Sequence, residues 1–598
     1  MNMRKWGMRT AACTGAACLL LVAAGCKEEA VRIETVPDGE LIKSVATDKA
    51  AYKPGEPVKY EAVLNGNVGS RGKLLIRYKH LNEVVKEQTV SVSGEKAAWE
   101  WTPPSDNYKG YLTELLLKQD GKWTDRATIA VDVSGDWSKY PRYGYLADFH
   151  KLDEGEMQRT VDRLNRFHIN GVQFYDWQYK HQTPIKWEGD KPASTWPDIA
   201  NREVSFDTVK GYIDLLHGKS MKAMNYNLLF GAYQDAEKDG VKKEWGMFKD
   251  PLLQNQDRHP LPDSWASDIY LYNPGNLDWQ NYLFAAEKKT FDTLPFDGWH
   301  VDQLGDRGAL WDGKGKSFNL ALTYKDFLAN AKEKLGKEIV INAVGQYGQA
   351  LIAKAPVQFL YTELWESYPE YKSLKQAIDE NNKYGSSKLA TVLAAYMNYK
   401  HADSKGEFNA PGVLLTNATI FASGGSHLEQ GENMLAKEYF PNRNLTIPEA
   451  LENQLIAYYD FLTAYENLLR DPSEEIKLAV TAGSELPISD TPKKGSVWSL
   501  AKQQANRAIV QLVNFTDATT MNWNDTDATQ AEPKVRENVQ LTIPSSEKVK
   551  AVWTASPDIH HGAPVALDFK QENGQLSITL PELKYWDMVV LEYKGDSK

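Results

Sequence analysis

The spacing of apolar residues changes character twice along this chain. Between about Ile33 and Ser134, apolar and polar positions alternate in short runs: Val58–Val63, Lys73–Tyr78, Tyr111–Leu117 and Ala127–Val133. A period of two buries one face of a strand, and turn residues such as Lys53-Pro-Gly-Glu-Pro57 separate the runs. An immunoglobulin-like β-sandwich over 34–135 is expected. From 136 to 472 short apolar runs alternate with stretches of helical period. Strands are expected at Tyr143–Asp148, Gly171–Asp176, Lys222–Asn227, Gly298–Asp302, Glu338–Ala343, Gln358–Glu363, Thr391–Tyr396 and Ile420–Gly424. Amphipathic helices fall between them, among them Glu154–Phe167, Phe206–His217, Trp279–Phe291 and Tyr324–Leu335. Eight strand–helix units predict a central (β/α)8 TIM barrel. After the helical stretch Glu449–Leu469, alternation returns in Ala508–Val513, Val539–Ile543, Val549–Trp553 and Met588–Tyr593. A C-terminal antiparallel β-sandwich domain over 473–598 follows, making the chain multidomain, with a barrel flanked by two β domains.

The first residues belong to neither pattern. Arg4, Lys5 and Arg9 precede a small apolar run from Thr10 to Ala24, and Ala23-Ala-Gly-Cys26 resembles a bacterial lipobox. Residues 1–25 therefore read as a lipoprotein signal peptide, with Cys26 as the lipidated mature N-terminus and 26–33 as a tether. The apolar run is too short to span a bilayer. Ala23 stands where that motif usually has Leu, so ordinary secretion with cleavage nearby is the alternative. Lys27, in place of an aspartate, favours display on the outer surface. All three cysteines (Cys13, Cys18, Cys26) lie in this segment, which leaves the mature chain without internal disulfides, cysteine metal sites or a cysteine nucleophile. Cleavage removes three cations and no acid, taking the formal charge from −11 to −14. No basic patch suited to phosphates stands out, so nucleic acid is not an expected partner, and the membrane is reached only through the lipid anchor.

In a parallel α/β barrel, chemistry sits at the C-terminal ends of the strands. Here those ends are acids, amides and rings: Asp148, Asp176-Trp177, Tyr226-Asn227, Asp302-Gln303, Asn342, Glu363, Tyr396 and His427. Two acids stand out, Asp302 and Glu363, each ending a buried aromatic run. A lone buried carboxylate is costly unless hydrogen-bonded, so a pair of them either caps turns or performs acid–base chemistry on a sugar. Asp302 is short and follows a rigid strand, which suits a nucleophile. Glu363 lies among Tyr361, Leu364 and Trp365, an apolar setting that raises a carboxyl pKa and suits a general acid. The abundance of aromatics (18 Trp, 30 Tyr and 18 Phe) fits carbohydrate stacking. Neither His560-His561 nor Asp525-Thr-Asp527 makes a metal site, and no cofactor is expected.

Five segments carry a resemblance to a known family: Phe174-Tyr-Asp-Trp-Gln-Tyr-Lys-His181, Asn225-Tyr-Asn-Leu-Leu-Phe-Gly231, Gly298-Trp-His-Val-Asp-Gln-Leu-Gly305, Tyr361-Thr-Glu-Leu-Trp365 and Ala422-Ser-Gly-Gly-Ser-His-Leu-Glu429. Together, and in this order, they resemble glycoside hydrolase family 66, which holds endo-dextranases and cycloisomaltooligosaccharide glucanotransferases. The resemblance implies retaining attack on α-1,6-linked glucan such as dextran, with isomaltooligosaccharides as products, Asp302 as nucleophile and Glu363 as acid/base. It also implies glucose-binding roles for Asp176, Trp177, Lys180, His181, Tyr226, Asn227, Gln303, Trp365, Tyr396, His427 and Glu429; each of these either touches sugar or packs behind a residue that does. The long stretch from Leu228 to Asn276, with Tyr233, Trp245, Trp265 and Tyr272, either walls the cleft or packs on the barrel side.

The expected activity is that of an endo-acting dextranase. The transferase branch carries an inserted carbohydrate-binding module between the seventh and eighth strands, and the residues from Asn398 to Ile420 are too few for one. A cyclising glucanotransferase and a non-catalytic glycan-binding lipoprotein are the competing readings.

Overall fold

The computed structural model describes residues 31–66, 72–438, 442–483 and 486–594. The export signal and Cys26 lie outside the described residues. In the N-terminal unit, a three-stranded antiparallel sheet (Ile42–Thr47, Val58–Leu64, Lys96–Trp101) and a four-stranded one (Glu83–Val92, Gly72–His80, Lys109–Gln119, Lys122–Val133) share a core. Strict alternation of buried and exposed positions in Val58–Leu64 makes one face of that strand apolar. Tyr78 stacks on Trp101 at 4.1 Å in this core.

The central unit has eight parallel strands: β1 Tyr143–Leu146, β2 Gly171–Phe174, β3 Lys222–Leu228, β4 Gly298–Asp302, β5 Glu338–Ile341, β6 Leu360–Glu363, β7 Thr391–Ala394 and β8 Ser426–Leu428. They form a five-stranded sheet in the order β5-β4-β3-β2-β1 and a three-stranded sheet β6-β7-β8. Backbone bonds also link the two sheets at both edges. Gln358 and Ala343 donate to Ile339 and Tyr361 across β5 and β6, and Tyr145 donates to Gln430 across β1 and the end of β8. The helices are α1 Glu154–Arg166, α2 Phe206–Gly218, α3 Leu277–Thr293, α4 Ala321–Leu335, α5 Gln349–Ile352, α6 Tyr371–Tyr384, α7 Ala410–Ser423, α8 Glu449–Ala464 and the short α9 Glu466–Leu469. Local chemistry starts several of them. Asp153 and Glu156 form a capping box on α1, Ser205 caps α2 and Asn276 caps α3.

Seven strands coincide with the expected segments, and the eighth does not. Ile420–Gly424, expected as a strand, is the end of α7, and β8 follows at Ser426. Every residue of α7 from Gly412 to Ser423 is buried, so its apolar run carries no one-sided period to separate helix from strand. Gly424, at φ 97°, then closes the helix in the left-handed region.

The C-terminal unit again has two layers. One sheet contains Val497–Gln504, Arg507–Asn514, Val549–Ala555 and Trp586–Tyr593; the other contains Arg536–Pro544 and Gln575–Leu583. Val510, Leu541, Leu580 and Leu591 are among the buried residues between them. Helix α8 ties the units together through Asp460, which accepts from the Ala130 backbone, Arg166 and His168. Burial alone would raise this carboxyl, but Arg166 and His168 hold it down at about 2. His560-His561 lies at another junction, where His561 pairs with Asp38 at 2.8 Å.

Candidate active site

Side chains alternate along each strand, so one set faces the interior between the two parallel sheets and the other faces the helices. On β4, Trp299 and Val301 join the apolar packing shared with the helices, while His300 and Asp302 line a cavity of 220 Å³. Tyr361 and Glu363 on β6 face the same space, as do Tyr226 on β3, Asn342 after β5 and Tyr396 after β7. Its floor is aromatic. His300 lies between Tyr143 and Tyr226, with ring centroids 5.7 and 5.8 Å away, and meets the edge of Tyr361 at 4.9 Å. Burial pushes the His300 imidazole down to about 3, so this ring is neutral under Asp302.

Asp302 and Glu363 meet across this floor. The Asn342 side-chain nitrogen donates to Asp302 Oδ1 at 2.9 Å and to Glu363 Oε2 at 3.4 Å. The two facing oxygens can be no farther apart than the sum of those distances, which is below the roughly 6.5–9.5 Å separation of inverting pairs. The other oxygen of each acid takes a phenol, Tyr226 on Asp302 Oδ2 at 2.6 Å and Tyr396 on Glu363 Oε1. Burial, and then the negative charge of Asp302, push Glu363 up to about 7. Burial also raises Asp302, against hydrogen bonds from Tyr226, the Gln303 backbone and Asn342. Two carboxyls this close resist double ionisation. Each acid takes a phenol and a contact from the Asn342 amide, with the Gln303 backbone on Asp302 and Trp365 on Glu363; burial and the charge of Asp302 outweigh these donors at Glu363, which places the proton there.

The predicted binding residues divide by position. Asp176, His181, Tyr226, Gln303, Trp365 and Tyr396 line the cavity. Asp176 sits in the left-handed region at φ 50°, a strained conformation that turns its carboxyl out of the strand pattern. Its pKa rises to about 7 through burial and the nearby Asp198 and Asp302, against Arg202. Trp365 stacks on Tyr396 at 5.2 Å. Trp177, Lys180, Asn227, His427 and Glu429 are not in the lining. Trp177 is fully buried and donates to Asn225, while Lys180 pairs with Asp235 and Asp239. Asn227 has the opposite parity to Tyr226 and donates to the buried Glu287 on α3. His427 and Glu429 flank the lining residue Leu428; His427 bonds Asn417 and the Ala395 carbonyl, and Glu429 accepts from Asn417 and Tyr459. These five are a supporting layer behind the cavity wall.

Sequence reasoning missed His259, Leu261 and Glu438, and named Tyr175 and His300 only within motifs. Parity would have found Tyr175, two residues after Gln173. His259, Leu261 and Trp265 come from the long segment after β3, which folds as a small antiparallel sheet (Gly231–Ala232, Ile269–Leu271, Arg258–His259) and does wall the cavity. Arg307 pins it by two bonds to Asp257 at 2.9 and 2.7 Å. Among the described residues the lining contains the carboxyls Asp176, Asp302, Glu363 and Glu438 and neither lysine nor arginine, a setting for a neutral polyhydroxy ligand rather than an anion.

The sequence profile of glycosyl hydrolase family 66 matches residues 47–590. The chain belongs to this family. A cycloisomaltooligosaccharide glucanotransferase of Niallia circulans is 28% identical over 707 aligned positions, covering 92% of this chain and 72% of that protein. A dextranase of Streptococcus salivarius is 25% identical over 613 positions, covering 86% and 72%. Among solved structures, a Paenibacillus sp. cycloisomaltooligosaccharide glucanotransferase complexed with cycloisomaltoheptaose superposes with a TM-score of 0.86 at 27% identity, over 92% of this chain and 100% of that one. As a family 66 member, the protein is a glycoside hydrolase, and its multidomain α/β and β architecture is that of the superposed enzyme.

Proposed function

We propose that this family 66 enzyme is an endo-acting, retaining hydrolase of α-1,6-glucan that cuts dextran into isomaltooligosaccharides. The observation that carries the reading is the Asn342 amide in contact with both Asp302 and Glu363, which keeps the two carboxyls close enough for a retaining pair. In the first step Asp302 attacks the anomeric carbon while Glu363, protonated near neutral pH, gives its proton to the departing glycosidic oxygen. In the second step Glu363, now ionised, takes a proton from water as that water displaces Asp302 from the sugar. Two inversions give net retention. Asn342 and Tyr226 keep the Asp302 carboxylate aimed, and Tyr396 orients Glu363. Asp176 and His181 offer hydrogen bonds to sugar hydroxyls, and Trp365 and Trp265 offer faces for glucose rings. On this reading the eight strands and their helices constitute a (β/α)8 TIM barrel, carried between an immunoglobulin-like domain and a C-terminal β domain. The protein is lipid-anchored through Cys26 at the bacterial surface.

Cyclisation is the second reading, favoured by the names of the more similar relatives. Against it, the glucanotransferase alignment runs to 707 positions, well beyond the 598 residues of this chain, so that relative carries segments that this chain lacks. The dextranase alignment also runs past the part of this chain that it covers, by fewer positions. Between β7 and β8 this chain has a short segment with one helical turn (His401–Asp403) and one short strand (Gly406–Glu407), followed by α7. The test is to incubate the mature protein with dextran, resolve the products, and follow the first-formed anomer by proton NMR. Linear oligosaccharides of α configuration support the proposal. Cyclic products would replace it with the transferase, a β first product would overturn retention, and binding without products would leave a lectin.

A further inference from the structure

A second cavity lies at the N-terminal ends of β7 and β8, away from the strand ends that carry Asp302 and Glu363. It offers 70 Å³ against 220 Å³ in the active-site cavity, too little to share that cavity's ligand. Its walls bring together Lys139 from the segment before β1, Lys388 and Thr391 at the start of β7, Arg470 and Asp471 after α9, and Lys502 from the C-terminal sheet. The sole acid in this lining is already engaged: Asp471 accepts from Lys139 at 3.0 Å, Tyr140 at 2.6 Å and Asn467 at 2.9 Å.

The other cations have no carboxylate of their own, since Glu466 and Asp132, which act on the Arg470 charge, are ion-paired to Arg142. Lys502 is 9% exposed and donates one hydrogen bond, to the Ala422 carbonyl at 3.2 Å. Arg470 donates through Nη2 to the Pro141 carbonyl, while its Nε and Nη1 are buried and have no hydrogen-bond partner. Among the described residues, none of Lys388, Arg470 and Lys502 has a carboxylate within ion-pair distance. Burial pushes Lys502 down to about 8, helped by Lys375, while Asp379 and Glu475 act to raise it and themselves pair with Lys375. Thr391 is 2% exposed and its hydroxyl has no partner either. Buried cations and a buried hydroxyl left unsatisfied are each costly. Several around one small polar cavity are a cradle for a charged acceptor with several oxygens.

We infer that this cavity is a binding site for a small tetrahedral oxyanion, phosphate or sulfate, which bridges the segment before β1, the β7–β8 end of the central unit and the C-terminal sheet. Lys502 and Arg470 supply the charge, Thr391 supplies a hydroxyl donor, and Lys388 and Lys139 stand at the rim. The site takes no part in glucan cleavage. Its effect is on stability, since an ion bound by the folded chain alone raises the melting temperature by mass action.

The experiment is thermal unfolding of the mature protein at pH 7.5 in rising sodium phosphate or sulfate, each against sodium chloride of equal ionic strength, with isothermal titration by phosphate. The expected result is a saturable Tm rise of a few degrees in phosphate or sulfate beyond that in chloride. Lys502→Met should abolish this difference while changing dextran turnover less than twofold. Thr391→Val, a near-isosteric change that keeps the fold if Lys502→Met does not, should weaken phosphate affinity at least threefold. Equal melting curves in phosphate and chloride for the wild type would overturn the inference, as would an unchanged phosphate midpoint in Thr391→Val.

Discussion

At the level of single residues, the roles proposed for Asp302 and Glu363 carry a pH dependence. Glu363 must hold a proton to act as acid, and its pKa is pushed up to about 7 by burial and by Asp302. Therefore kcat/KM should fall as pH rises through about 7. Tyr396 donates to this carboxyl and stabilises its charged form. In Tyr396→Phe the alkaline limb should move upward by about one pH unit, since a hydrogen bond to a charged group contributes roughly 1.5–3 kcal/mol; a limb that stays in place would separate Tyr396 from the acid. Asp302→Asn and Glu363→Gln should each lower kcat on dextran by about 10²–10⁴-fold or more. Sodium azide should partly restore the Glu363→Ala variant as an α-glycosyl azide, detectable by NMR, because azide needs no base to displace Asp302. Full activity in either acid variant would refute the nucleophile and acid/base roles of Asp302 and Glu363.

At the scale of elements, parity decides what a strand-end residue can do. Tyr226 reaches Asp302, while its neighbours Asn225 and Asn227 point the other way and donate to the two oxygens of Glu287 on α3, both at 2.6 Å. This clamp fixes β3 against α3 and aims Tyr226. Glu287→Gln leaves a single acceptor oxygen for two amides and should cost about 1–3 kcal/mol in chemical denaturation. Asp460 on α8 is the corresponding tie between units. Asp460→Ala strands Arg166 and His168 and should cost about 3–5 kcal/mol, read as an earlier unfolding midpoint. The sequence motif around His427 and Glu429 was legible, but their placement was not. A strand of three residues beginning after a buried helix carries too short a pattern to show which side faces inward.

At the scale of the whole molecule, buried acids make stability depend on pH in two windows. Asp176, Glu287, Glu363 and Glu432 all have folded pKa values raised to about 7, each first by burial. They bind protons in the folded state that the unfolded chain releases near pH 4. Their contribution is therefore present below about pH 4 and is lost as pH rises through about 7. Asp460 works in the opposite sense: held at about 2, it contributes above about pH 4 and loses that contribution as pH falls through 2. Below about pH 6.5 His181 and His300, held down at about 4 and about 3 by burial, oppose the trend of the four raised acids. Scanning calorimetry should therefore show Tm declining between about pH 6.5 and 8, and a Tm that climbs across that range would contradict the assignment of these four groups.

The linear pattern was enough to place seven strands of the central unit, to delimit the two flanking β units and to single out Asp302 and Glu363 as a candidate pair. These follow from periodicity and from residue type, which act over a few neighbouring residues and survive without knowledge of the rest of the chain. Only the tertiary structure decided that Asn342 joins Asp302 to Glu363, that Tyr226 and Tyr396 serve one acid each, and that Trp177, Asn227, His427 and Glu429 stand behind the wall. Residues 61 positions apart, such as Asp302 and Glu363, acquire a fixed separation and act on each other's protonation only when packing fixes both strands and removes the water between them.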